Sequence, residues 1–251
     1  MVAGMVQPDT RPSGHPERRG TPALLYAAVA APVMVAILAA ATQPWLRPSD
    51  LTRDSQAVAV AHDATSPAYG VLSNVGIVLM AVACGMALLG WLVSRQTGDP
   101  VAALLAWSSA LGLAFVLDDL LLLHESAAFG PWAGIAAAAT YAAGFVAYLA
   151  RFHELIRARL DGGLLILALA AFAGSAVVDV LAAPTQASVL VEDGAKLLGI
   201  VAWSVFVGRA AITALASNPP ASTSAERVEP SVATPPSPGA RAGAGAQART
   251  R

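Results

Sequence analysis

Six long apolar stretches leave this chain few ways to fold. They run approximately over residues 23–42, 69–93, 101–123, 132–152, 164–183 and 189–210. A helix rises about 1.5 Å per residue, so about 20 apolar residues cross the hydrocarbon core of a bilayer. Lipid offers no hydrogen bonds to a bare backbone, and the stretches lack the alternation of strands. Each is therefore expected to be a helix. The predicted fold class is all-α, a polytopic integral membrane protein built as a bundle of six transmembrane helices. Only 12% of the 251 residues are charged and 56% are hydrophobic. Soluble domains carry roughly 25% charged residues, so the composition excludes an ordinary soluble globule.

A net charge of -1 provides no basic face for nucleic acid. The single cysteine, Cys84, excludes an internal disulfide framework and a cysteine zinc site, and reads as a small buried hydrophobe. Residues 1–22 carry Pro8, Pro12, Pro16 and several charges, and are expected to be a flexible cytoplasmic N-terminus. Residues 23–211 form the six-helix domain. Residues 212–251 are rich in Pro, Ala, Ser, Gly and Arg, and have too little to bury to offset the entropy of ordering. They are expected to be a disordered cytoplasmic tail. The first span follows Arg18 and Arg19 and ends in small residues, like a signal peptide. Its apolar run exceeds the usual core of about 7–15 residues, so it is expected to be a retained helix.

Positive residues between spans set the orientation. Arg11, Arg18, Arg19, Arg95, Arg151, Arg157, Arg159, Arg209 and four tail arginines fall on one side, against Arg47 and Arg53 on the other. Both termini are therefore expected to be cytoplasmic, in a bacterial cytoplasmic membrane. With that orientation, the polar residues of the spans gather at one depth on the extracytoplasmic side. They are Asp118, Asp119, His124 and Glu125 at the end of span three, Asp179 at the end of span five, and Glu192, Asp193 and Lys196 at the start of span six. Ser73 and Asn74 begin span two at the same depth. His62 and Asp63 precede them and read as a solvated loop.

Ionisable residues inside a membrane are expensive and mark functional sites. Six carboxylates here face one lysine, and the excess calls for a metal ion or for protonation. Helix dipoles favour Glu192 and Asp193 at a helix start and disfavour Asp118, Asp119, Glu125 and Asp179 at helix ends. Glu192, Lys196, Gly199 and Trp203 form one stripe of span six, and Glu192 stands four residues before Lys196, the spacing of an ion pair. Spacing does not decide between Asp118 and Asp119. A three-histidine zinc site cannot be assembled, because only His62 and His124 lie on this side. Oxygen ligands suit Mg, Ca, Mn or Fe better than Zn. Six spans and 6% aromatic residues argue against a retinal cage around Lys196.

The expected function is a membrane-embedded, metal-dependent hydrolase or transferase on a lipid-like substrate. Asp119, Glu125 and Lys196 are the expected catalytic groups, and Asp118, His124, Asp179, Glu192 and Asp193 the expected metal ligands. The alternatives are a transporter or proton-coupled carrier using the same carboxylates, and a non-catalytic membrane subunit. The bilayer is the one partner that composition requires. Oligomeric state is not legible.

Overall fold

The structure, a computed structural model, describes residues 23–123 and 132–217. All the elements among these residues are helices. Six are long and apolar enough to cross a membrane: α1 (Ala23–Thr42), α4 (Val71–Ser94), α5 (Val101–Leu121), α6 (Ala133–Arg159), α7 (Gly162–Leu181) and α8 (Gln186–Ala216). The protein is a multi-pass membrane protein. The last helix runs about two turns beyond the stretch read from hydropathy. Two short helices, α2 (Pro48–Thr52) and α3 (Ser55–His62), lie between the first two spans. The N-terminal segment and nearly all of the expected tail fall outside the described residues.

Helix α8 is the central element, with α1, α4, α5 and α7 all resting on it. Small residues make this possible, since bilayer-spanning helices associate by close packing rather than by hydrophobic exclusion of water. Gly199, Ala202, Gly208, Ala210, Ala211 and Ala214 of α8 are buried. A Cβ at Gly199 would lie 2.7 Å from the Phe172 ring of α7, and one at Gly90 of α4 would lie 3.2 Å from the Cβ of Ala211. Cys84 is half-buried, and a Cβ at Gly112 would meet its Sγ at 2.6 Å. By contrast, α6 touches α5 and α7 over few residues and buries only Tyr148, Phe152 and Ile156.

The half of the bundle remote from α2 and α3 is sealed. Leu104, Leu105, Tyr148, Leu164, Trp203 and Phe206 fill it and are almost wholly buried. Its buried hydroxyls are partnered: Ser94 Oγ donates to the Gly90 carbonyl, the Ser108 and Tyr148 hydroxyls lie 2.9 Å apart, and Ser108 Oγ also donates to the Leu104 carbonyl at 2.9 Å. Tyr148→Phe leaves Ser108 its backbone partner and should cost about 1 kcal/mol. Ser108→Ala strands the tyrosine hydroxyl and should cost more, about 1–3 kcal/mol. Thermal unfolding in detergent checks the order of the two. Ion pairs close the surface of this end, Arg159 to Asp99 at 3.3 Å and Arg209 to Asp161.

The segment between α1 and α4 is not the solvated loop that its composition suggests. Pro48 opens α2, where its missing N–H costs nothing. Asp54 caps α3 by accepting from the N–H groups of Gln56 and Ala57. Asp50 is buried, its Oδ1 lying 3.2 Å from His62 Nε2, and its carbonyl accepts from the Gly70 N–H at 2.8 Å. The His62 ring stacks on Tyr69 at 5.4 Å. Ser49 N–H donates to the Gln186 side chain at the start of α8. The two helices therefore form a strap fixed to α4 and α8, while His62 and Asp63 themselves are exposed.

Candidate functional site

Each connection at the strap end joins antiparallel neighbours. The ends of α1, α5 and α7 and the starts of α4, α6 and α8 therefore meet beneath the strap. Between them is a polar chamber of about 370 Å³. Its wall carries Asp119 from α5, Asp179 from α7, and Glu192, Asp193 and Lys196 from α8. Ser73 of α4 lines it too, and the strap adds Thr52, Arg53 and Asp54.

Five of the eight residues singled out in the sequence thus share one chamber. Asp118 is buried and faces a neighbouring groove, beside Tyr141. His124 and Glu125 lie outside the described residues. The sequence reading places Arg53 on this side of the membrane but assigns neither it nor Thr52 to the site, although the proline at 48 and the aspartate at 54 are helix-start signals that flank them.

Lys196 does not pair with Glu192. Its Nζ donates to Asp119 Oδ1 at 2.8 Å, across from α8 to α5. The physical reason lies in the helix ends. Asp119 stands at the C-terminal end of α5, where the dipole disfavours a carboxylate, so it gains most from a cation. Glu192 stands near the favourable N-terminal end of α8. This contact also resolves the ambiguity of the aspartate pair, because Asp119 enters the chamber. The α8 stripe otherwise runs as its spacing predicts: Gly199 lies against Phe172, and Trp203 is 1% exposed in the core.

Arg53 changes the charge balance. Five carboxylates line the chamber, Asp54, Asp119, Asp179, Glu192 and Asp193, with two cations, Lys196 and Arg53. Asp54 is committed to the α3 cap. Among the described residues, no three His, Cys, Asp or Glu side chains converge closely enough to hold a metal ion. Two buried side-chain oxygens there, Thr52 Oγ1 and Asp193 Oδ2, belong to facing side chains, with Thr52 placed to donate to the Asp193 carboxylate.

A second cavity, of about 450 Å³, opens sideways between α5, α6 and α7, where α6 is loosely held. Its floor is aromatic. Phe115 stacks on Tyr141 at 4.1 Å and on Phe172 at 5.3 Å, and Phe145 lies 6.1 Å from Phe172. Alanines at 137, 138, 142, 173 and 176 keep it open. The groove ends on Asp119, Asp179, Glu192 and Lys196, which also line the chamber.

The family described as Domain of unknown function (DUF8692) matches residues 24–210. The chain belongs to this family. The match spans the six long helices and takes in all the chamber residues named above. No curated protein and no solved structure matches the chain.

Proposed function

We propose that the protein takes an amphiphilic, lipid-like substrate from the bilayer and acts on its polar part. The observation that carries this reading is the shared wall. An apolar, aromatic-floored groove open towards lipid ends on the same four ionisable residues that line the polar chamber. Ligand sites are mostly apolar clefts with a few polar groups at fixed positions, and here the two parts are spatially separated, as they are in an amphiphile. The arginine bias supports placing the chamber on the extracytoplasmic face of a bacterial cytoplasmic membrane.

The chemistry that suits the junction is hydrolysis or group transfer. A carboxylate such as Asp179 or Glu192 acts as general base on an attacking water or hydroxyl. Lys196, held in place by Asp119, stabilises the negative charge that develops on the attacked group. Asp118, Asp179, Glu192, Asp193 and His124 are the residues that would hold a metal ion, which would add Lewis-acid polarisation of the attacked group. The largely apolar, close-packed residues beyond Lys196, such as Leu104, Leu105, Leu164, Trp203 and Phe206, support this reading over a carrier.

The test is photolabelling. The protein is placed in phosphatidylcholine nanodiscs with an alkyl glycerol carrying a diazirine on its chain. Adducts should concentrate on the α5, α6 and α7 segments around Phe115, Tyr141 and Phe172, and Ala176→Trp, which fills the groove, should remove most of them. Adducts spread evenly over all bilayer-facing helices would overturn the reading. Turnover of an ester-linked amphiphile that is lost in Asp179→Asn with labelling intact would establish the catalytic part.

A further inference from the structure

Helix α6 is packed unevenly along its length. Its buried residues, Tyr148, Phe152 and Ile156, all lie in its second half. There the Tyr148 hydroxyl lies 2.9 Å from that of Ser108, the Tyr148 ring lies 5.6 Å from Trp203, and Phe152 meets Trp107 edge-on. Just before this anchor, Gly144 brings α6 against α5: a Cβ there would lie 2.9 Å from Leu111 Cδ2. Residues 133–143 differ. None of them is buried, and all but Ile135, Thr140 and Tyr141 are alanine or glycine. They form one wall of the aromatic groove. The opposite wall, α7, is fixed to the bundle by buried residues from Leu164 to Ser175.

Tyr141 ties the first half of α6 to α5. Its ring stacks on Phe115 at 4.1 Å, and its hydroxyl donates to the Ala114 carbonyl at 3.2 Å, beside Asp118. Lipid tails are as apolar as alanine. Parting an alanine face from its neighbours in a bilayer therefore forfeits packing and hydrogen bonds but no hydrophobic free energy. Residues 133–143 have little packing to forfeit apart from Tyr141. The helix can also bend here. Gly144 stands at the boundary, and the Thr140 hydroxyl donates back to the Ala136 carbonyl at 2.7 Å, a bond that often bends helices.

We propose that residues 133–143 of α6 are a gate on the groove, pivoting at Gly144 and latched to α5 by Tyr141. Its role, admitting the chain of an amphiphile, rests on the reading above; the motion does not. Opening parts Tyr141 from Phe115 and widens the groove towards Asp119 and Lys196, while the Ser108–Tyr148 anchor keeps the far end closed.

Spin-label distances in nanodiscs test it, with Cys84→Ala removing the native thiol. One pair spans the gate and α7 at exposed positions, Ala139→Cys with Val177→Cys. The other spans the anchored half, Ala150→Cys with Ile166→Cys. A second, longer distance should appear in the gate pair alone. Tyr141→Phe keeps the ring and loses the hydroxyl, so the ratio of open to closed should rise about fivefold. Tyr141→Ala loses both and should raise it more than about tenfold. Tyr141→Leu serves if Tyr141→Ala fails to give a cooperative melt. Loading of the groove by the diazirine probe, followed as α7 adducts against time, should accelerate by the same factors. A single, unchanged distance in the gate pair of every variant would overturn the gate and leave the amphiphile reading standing where the groove still labels. Broadening of both pairs together would overturn the pivot, as loosening of the whole helix. Opening without faster loading would overturn the entry role. A groove that never labels, in a protein whose gate opens, would remove the amphiphile reading and the entry role with it.

Discussion

Lys196→Met is expected to destabilise the bundle by about 2–3 kcal/mol, one of the two largest effects of any single substitution near the chamber. The substitution leaves Asp119 as an uncompensated carboxylate at the C-terminal end of α5. Breaking a buried ion pair by removing one partner costs about 3–5 kcal/mol, because the remaining charge stays desolvated. Here the Asp119 side chain is 13% exposed and that of Lys196 34%, so solvent in the chamber reduces the penalty below the upper end of that range. The companion change decides the cause. Replacing both partners, Asp119→Leu with Lys196→Met, should recover most of the loss, since exchanging a buried pair for apolar residues is often neutral or better. A double-mutant cycle on unfolding in mixed micelles measures the coupling. Additive losses would mean that the 2.8 Å contact contributes nothing and that Lys196 acts through its packing alone. On the proposed reading the recovered double variant should still be inactive on an ester-linked amphiphile, because the lysine that would stabilise the developing charge is gone.

The bundle was legible from the sequence because lipid imposes a strong rule: a span must be long, apolar and helical. Depth was legible as well, since alternating spans put the ends of α5 and α7 beside the starts of α4 and α8. Partners were not. The i, i+4 rule that suggested Glu192 for Lys196 sees only one helix, whereas the winning contact depends on how α5 and α8 are juxtaposed, and no local spacing encodes that. Asp118 and Asp119 are adjacent, so only the rotation of α5 separates them. The strap was missed for a different reason. Helices of five and eight residues bury few side chains, and their stability comes from caps and cross-contacts such as Asp50 to His62 and Ser49 to Gln186. With the strap went Thr52 and Arg53, and so the hydroxyl that faces Asp193 and the second cation. His124 and Glu125 lie outside the described residues, and they keep the roles expected of them as a matter for experiment.

Gly70→Ala should disrupt the strap, and with it the roof of the chamber. Gly70 has φ +62°, a left-handed conformation that costs an L-residue roughly 1–2 kcal/mol. A second obstacle is steric. A Cβ there would lie 2.5 Å from Ser55 N, 2.7 Å from the Arg53 carbonyl oxygen and 2.8 Å from Ser55 Cα. These are backbone atoms, so no side-chain rotation relieves the clash, and the hydrogen bond from Gly70 N–H to the Asp50 carbonyl is lost as the chains separate. The combined penalty should exceed about 2 kcal/mol, which corresponds to an increase in amide exchange of about 30-fold over residues 48–62. Gly98 isolates the steric part. It has φ +71°, but its Cβ would meet nothing within 4 Å, so Gly98→Ala carries the conformational penalty alone, and the extra loss of stability in Gly70→Ala measures the steric part. If Gly70→Ala and Gly98→Ala lost equal stability, the strap would not depend on close approach at Gly70. If the strap opens as expected, the amphiphile should still label the aromatic groove, because α5, α6 and α7 are untouched. Turnover should fall, because Thr52 and Arg53 would leave the chamber wall. That separation of labelling from turnover would show that the roof serves the chamber while the bundle confers capture.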